Sequence, residues 1–260
     1  MTKDIASLIK RNNDTIRMVL DSGAFTAWKK GKPINVDDYC RFIENLEFKP
    51  WRYFSLDVIG DPDGSMRNYE TMINRGFSPV PIFTRGECVS VLDDLYKTSD
   101  VVGVGGLVGT PGNAGFVNGI MKKIGARKVH WLGFTKIEFI KYYKPYMCDS
   151  SGWEGGARFG AMNLYMGGGR SVTVKKTDFA NQVPQRILDR IKELGFDGHL
   201  FKKNSSWAGG RSMNRELCAA SAVAKSNEVE KRLGTKLFSA ATTELAVNLL
   251  LEQFEKQRQI

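Results

Sequence analysis

Hydrophobic runs that read as strands alternate with runs of helical period along most of this chain, and that alternation limits its fold more than any other feature. The strand-like runs are IRMVL (16–20), WRYFSLDV (51–58), FSPVPIFT (77–84), VVGVGGL (101–107), KVHWLGF (128–134) and KPYMCDSS (144–151). Between them lie VDDYCRFIENL, SMRNYETMINRG, ECVSVLDDLYK, NAGFVNGIMKKIG and KIEFIKYY, which read as helices, with Gly76 a natural stop for the second. One strand plus one helix takes roughly thirty residues, the length of a crossover unit. Strands joined by such crossovers run parallel. Pro79 and Pro81 weaken the third run, because proline cannot donate to a strand ladder.

After residue 151 the rhythm breaks. SGWEGGARFGAMNLYMGGGRSVTV is dense in glycine and carries two arginines. Its glycines fit turns between two short strands, NLYM and SVTV, and they fit equally a mobile loop over a strand-end site. VPQRILDRIKELG then reads as an amphipathic helix and HLFKK as a last strand. From Ser212 onward the chain reads as helical, MNRELCAASAVAKSNEVEKRLG first and a final helix from about Ala240. A short helix over residues 3 to 13 opens the chain. The expected architecture is α/β, a TIM-type (β/α)8 barrel over residues 1–205 with a helical C-terminal extension over 206–260 packed on it.

The 260 residues are 42% hydrophobic, ordinary for a packed core, and no apolar run reaches the ~18 residues of a membrane span. The opening MTKDIASLIKRNND is charged and has no signal-peptide core, which leads to the expectation of an intracellular protein without a membrane partner. Cys40, Cys88, Cys148 and Cys218 are scattered, with no CxxC pair, so reduced thiols are expected and neither a metal nor a cofactor is. The net charge is +10, spread along the chain. Such a charge suits a polyanion partner, and it suits equally a basic protein that has none.

Three carboxylates sit where strand-like runs stop: Asp21 in IRMVLDSGAF, Asp57 in YFSLDVIGD and Asp149 in YMCDSSGW. Gly105 and Gly106 close a fourth run. In a parallel barrel the carboxyl ends of the strands face one mouth, so these groups converge although they are distant in sequence. Two or three converged carboxylates suit chemistry at an anomeric carbon, which needs a nucleophile and a proton shuttle. Asp21 and Ser22 also suit a simple turn or helix cap. VGVGGL does not complete a dinucleotide fingerprint, and the GGG at 167–169 lacks the GK[ST] of a phosphate loop. His130 and His199 are isolated, and His130 reads as structural.

Taken in order, DSGAF, SLDVIGDP, PIFTRGE, VGGLVG, HWLGFTK and YMCDSSGWEGGARFG resemble the motif series of the tRNA-guanine transglycosylase superfamily. The resemblance spans about residues 17 to 160. The zinc-binding CxC…CxxC…H segment of that superfamily's tRNA enzymes has no counterpart, since Cys218 stands alone there. In this the chain is most similar to the phage branch that places 7-deazaguanines in DNA. Arg85 stands where the family has glutamine.

The resemblance implies base exchange without a cofactor: guanine in DNA is replaced by a free 7-deazaguanine base. Asp149 would be the nucleophile and Asp21 the proton shuttle. Asp57 would read the guanine edge, with Ser22, Arg85, Gly105, Gly106 and Leu107 around the base. Arginine only donates hydrogen bonds, so Arg85 suits a carbonyl oxygen of the base. Arg158 and Arg170 would hold flanking phosphates, with Lys202, Lys203 and Arg211 beside Trp207 as a second basic patch. Trp153 would stack on a base or fill the core. The alternatives are a zinc-free enzyme acting on tRNA and a noncatalytic nucleic-acid-binding barrel.

Overall fold

The structure is a computed structural model that describes residues 6–7, 9–10, 16–107 and 113–258, with the side chains of Asn113 and Arg158 outside it. The expected helix over residues 3 to 13 lies largely outside the described residues. The chain divides into two compact units, residues 1–134 with 145–147, and residues 135–144 with 148–260.

The first unit is built from strands alternating with helices, with two helices between the first strand and the second. Its strands are β1 (Val19–Leu20), β2 (Arg52–Tyr53), β3 (Ile82–Phe83), β4 (Val101–Val104) and β5 (Lys128–Trp131). Its helices are α1 (Ala24–Lys29), α2 (Val36–Glu44), α3 (Pro62–Asn74), α4 (Val91–Thr98) and α5 (Asn113–Ile124). Every described pairing in this unit is parallel: Leu20 with Tyr53, Phe83 with Val104, and Val104 with Trp131. A single parallel bridge, Phe54 to Val80, links the first pair to the other three strands. Consecutive strands are therefore neighbours, with no reversal of order.

Local chemistry explains where the helices begin. The Asn35 side chain accepts from the Asp37 N–H at 2.7 Å and opens α2, whose first turn carries Asp37 and Asp38 against the positive helix end. Asp61 opens α3 by accepting from the Gly64 N–H at 2.9 Å, with Pro62 in the first turn where no donor is missed. Every residue of β4 is buried, as expected of a strand covered on both faces. Gly103 within it suits close packing, because a Cβ there would lie 3.0 Å from the Leu132 side chain and 3.4 Å from the Phe54 ring.

The second unit contains α6 (Ile137–Tyr143), the four-residue α7 (Gly152–Gly155), a hairpin of β7 (Ala161–Gly167) and β8 (Arg170–Lys175), and α8 (Gln185–Glu193). It ends with α9 (Met213–Leu233), β9 (Lys236–Ser239) and α10 (Glu244–Arg258). Strand β6 (Met147–Ser150) begins at the division, and within the second unit the Ala240 N–H donates to Ser150 O at 3.0 Å. The glycine-dense stretch is the hairpin, antiparallel from Ala161–Lys175 to Gly167–Arg170. Its turn places Gly167, Gly168 and Gly169 at φ of 83°, 62° and 81°, a left-handed run that glycine alone adopts cheaply.

The alternation and the parallel pairing agree with the sequence, but the described strands do not join in one closed eight-stranded ring. Two departures explain this. The β7–β8 hairpin forms its own antiparallel sheet. HLFKK is not a strand; Gly198–Lys202 is a 3-10 turn. It winds because Phe201 is drawn into a cluster with Phe179 and Trp207, with ring centroids 5.4 to 5.6 Å apart, and the Trp207 Nε1–H donates to Phe201 O at 2.8 Å. The C-terminal region is not wholly helical either, since β9 intervenes between α9 and α10. Gly234, at φ 75°, ends α9 with a left-handed cap.

No helix among the described residues is long and apolar enough to cross a membrane. Replacing Phe201, which is 1% exposed, by Ala should destabilise the second unit by about 3–5 kcal/mol in denaturant melts, whereas Lys202→Ala beside it should change stability by less than about 0.5 kcal/mol.

Candidate active site at the strand ends

Parallel strands β1 to β4 lie side by side, so their carboxyl ends share one edge of the first unit. The residues just beyond each end are Asp21 and Ser22, Asp57, Arg85, and Gly105 with Gly106. At the first end the chain turns sharply into α1. Gly23 takes φ 75°, and the Asp21 Oδ1 accepts from the Gly23 N–H at 3.1 Å. Ser22 is buried and accepts from the Ala24 N–H at 3.3 Å. The turn role foreseen for DSG is therefore real, and it coexists with a second role. The Ser22 hydroxyl also donates to Asp57 Oδ1 at 3.0 Å, joining two strand ends 35 residues apart.

Asp57 is held on both sides by α3. Just before it, Leu56 O accepts from the Asn68 side chain at 3.1 Å; just after it, the Val58 N–H donates to the Ser65 hydroxyl at 2.8 Å. Burial pushes the Asp57 carboxyl above the usual carboxylate range, and the charge of Asp21 pushes the same way, against the Ser22 hydrogen bond. Asp21 is exposed and Asp57 half-buried. Two carboxylates in unequal surroundings can divide their labour, the solvated one exchanging protons and the enclosed one accepting fixed hydrogen bonds.

Tyr39 of α2 belongs to the same place. Its hydroxyl donates to Phe54 O at 2.9 Å, and its pKa is raised first by burial and then by Asp21, with Tyr53 and Asp57 adding to it. Beneath this group Ala24, Tyr39, Cys40, Leu56 and Met72 form one core cluster that joins three helices to the segment after β2. Sequence spacing marks Tyr39 only as an apolar-face residue, and its contact with the acidic pair was missed. Glu87 was missed too. It accepts from the Thr84 N–H beyond β3, and burial raises its pKa.

Arg85 sits over the Phe116 ring, 5.1 Å from its centroid. Gly106, at φ 71°, abuts Arg85 so closely that a Cβ would lie 2.8 Å from the Arg85 Cβ. The ends of β3 and β4 thus meet as a pair, as do those of β1 and β2. Leu107 is buried, 1% exposed. The rest of VGGLVG, residues 108 and 109, lies outside the described residues.

Asp149 and the basic residues belong to the second unit. Asp149 is half-buried at the end of β6, beside the buried Cys148, whose thiol is pushed up to about 12 by burial and by the Asp149 charge. Trp153 is a core residue, its indole N–H donating to Ala240 O at 2.8 Å. Trp207 is likewise buried, so the second basic patch has no exposed tryptophan. Arg158 lies on a 3-10 turn, Gly156–Phe159. Arg170, Lys202 and Lys203 are exposed. Arg211 is engaged by Glu216 at 2.9 Å and by both carboxylate oxygens of Glu252. No cluster of three or more His, Cys, Asp or Glu side chains able to hold a metal occurs among the described residues.

Because the folded state raises the Asp57 pKa, its contribution to stability is full at acid pH and is lost as pH rises through that raised value. Asp57→Asn keeps an oxygen for Ser22 and removes the buried charge. The variant should therefore melt higher than the parent at pH 7, and the difference should vanish toward pH 4; a constant difference across that range would remove the burial argument. The chain matches no protein-family model, no curated protein and no solved structure.

Proposed function

We propose that this protein exchanges guanine in DNA for a free 7-deazaguanine base through a covalent glycosyl-aspartate. The observation that carries the reading is the Ser22–Asp57 hydrogen bond, which fixes an enclosed carboxylate beside the exposed Asp21 at adjoining strand ends. Guanine offers a ring N–H and an amino group side by side, and an acceptor-only carboxylate is the natural partner for two adjacent donors. Asp57 takes that part. Arg85 donates to the base carbonyl, and Gly105, Gly106 and Leu107 supply backbone close to the base plane.

In this reading Asp149 attacks C1′ of the target nucleotide, the C1′–N9 bond breaks, and its electron pair leaves with guanine as Asp21 delivers a proton to the base. The nitrogen of the incoming 7-deazaguanine then attacks C1′, the ester to Asp149 breaks, and Asp21 takes the proton released. Two displacements at one carbon retain configuration. The target nucleotide leaves its stack to be reached, and Arg158, Arg170, Lys202 and Lys203 neutralise its flanking phosphates, Arg211 being already engaged by Glu216 and Glu252. The sequential parallel order of β1 to β5 supports a singly wound, barrel-like arrangement, whose strand ends form a common mouth.

The test is mass spectrometry of nucleosides digested from DNA and from tRNA after incubation with isotope-labelled 7-deazaguanines. Label is expected in the deoxynucleosides. Asp149→Ala should abolish both label and covalent adduct, and Asp21→Ala should slow incorporation about 10²–10⁴-fold. Label confined to tRNA would move the activity to the other polymer, and no label in either would end the proposal.

A further inference from the structure

The second unit contains a cavity of about 90 Å³ between the β7–β8 hairpin, α9 and the end of β6. Among the described residues that line it, Lys225 of α9 alone carries a charge. The polar side chains of Thr135, Asn163, Ser171 and Ser239 also line it, and among the described residues none of the four makes a hydrogen bond. Asn163 and Ser171 are exposed, so the cavity reaches solvent. The other polar groups in its wall are occupied: the Ser221 hydroxyl accepts from the Tyr165 N–H at 2.7 Å and donates to Asn163 O at 3.1 Å, and Ser150 accepts from the Gly152 N–H at 3.0 Å.

Lys225 is half-buried, yet it forms no ion pair with any described residue. Two acidic groups act on its charge without pairing with it, first the Cys148 thiol, which burial keeps protonated, and then Glu138. Burial accordingly lowers the Lys225 pKa. An enclosed ammonium with no counter-ion is costly unless something of opposite charge fills the space. Hydroxyl and amide donors around a single ammonium are the recognition set for a compact oxyanion, since charge-assisted hydrogen bonds to its several oxygens can form together. A cation does not suit a lining whose charged side chain is Lys225.

We propose that this cavity binds a phosphate group on Lys225, with Thr135, Asn163, Ser171 and Ser239 as the surrounding hydrogen-bond donors. The site stands whether or not the protein exchanges bases. Two sources share that chemistry, a nucleic-acid phosphate and the phosphate of a small molecule.

Reductive methylation followed by peptide mass spectrometry reads Lys225 directly in the intact protein. Inorganic phosphate at about ten times its dissociation constant should slow labelling of Lys225 roughly tenfold while leaving the exposed Lys192 unchanged. Protection by dimethyl phosphate and a short single-stranded oligonucleotide as well would assign the site to a nucleic-acid backbone; protection by inorganic phosphate alone would assign it to a small phosphorylated molecule. Equal labelling in all conditions would overturn the proposal. The rise in melting temperature caused by inorganic phosphate should be lost in Lys225→Gln and kept in Lys225→Arg, and a rise of equal size in Lys225→Gln would also overturn it.

Discussion

The hydrogen bond from Ser22 to Asp57 is the constraint on which the first unit's chemistry turns. It requires β1 and β2 to be adjacent and parallel, so that the chain leaves both strands at the same edge. It also requires the tight turn at Gly23, which swings the Ser22 hydroxyl toward the second strand while α1 starts immediately. The neighbouring Asn68 and Ser65 then hold the Asp57 backbone from α3. One short contact thus ties two strands and two helices to the position of one carboxylate.

That carboxylate is enclosed at a cost. Burial and the Asp21 charge both oppose its ionisation, and a single hydroxyl offsets them only in part. A stability-driven choice of residue at this position would be neutral. An acid kept where the fold disfavours one marks Asp57 as a candidate functional residue. The same logic applies to Lys225 in the second unit, with the sign reversed: a cation enclosed without its counter-ion.

Much of the fold was legible because buried parallel strands leave continuous apolar runs. VVGV and KVHW read directly as β4 and β5, and the paired glycines after β4 mark a place where backbones crowd. The errors arise where tertiary packing overrides local pattern. HLFKK offers a short apolar pair that fits a strand, but Phe201 packs into the Phe179–Trp207 cluster instead of a ladder. KLFS is too short to announce β9 between two long helices. The helix α1 has no side-chain cap to signal its start, since Gly23 occupies the cap position. For the site, Asp21, Ser22 and Asp57 were visible as strand-end residues. Tyr39, Glu87 and Lys225 were not, because which group meets which depends on helix rotation that spacing alone leaves open.

The three-glycine tip of the β7–β8 hairpin carries a consequence of its own. The Gly168 N–H donates to Glu228 and the Gly169 N–H to Tyr165, while a Cβ at Gly169 would lie 2.8 Å from Ile137. The backbone is therefore held at the apex, and a side chain is crowded out at Gly169. Both amides at the tip are already engaged within the second unit, and Lys141 donates to Gly168 O at 3.2 Å, so the apex is a pinned contour and not a set of open donors.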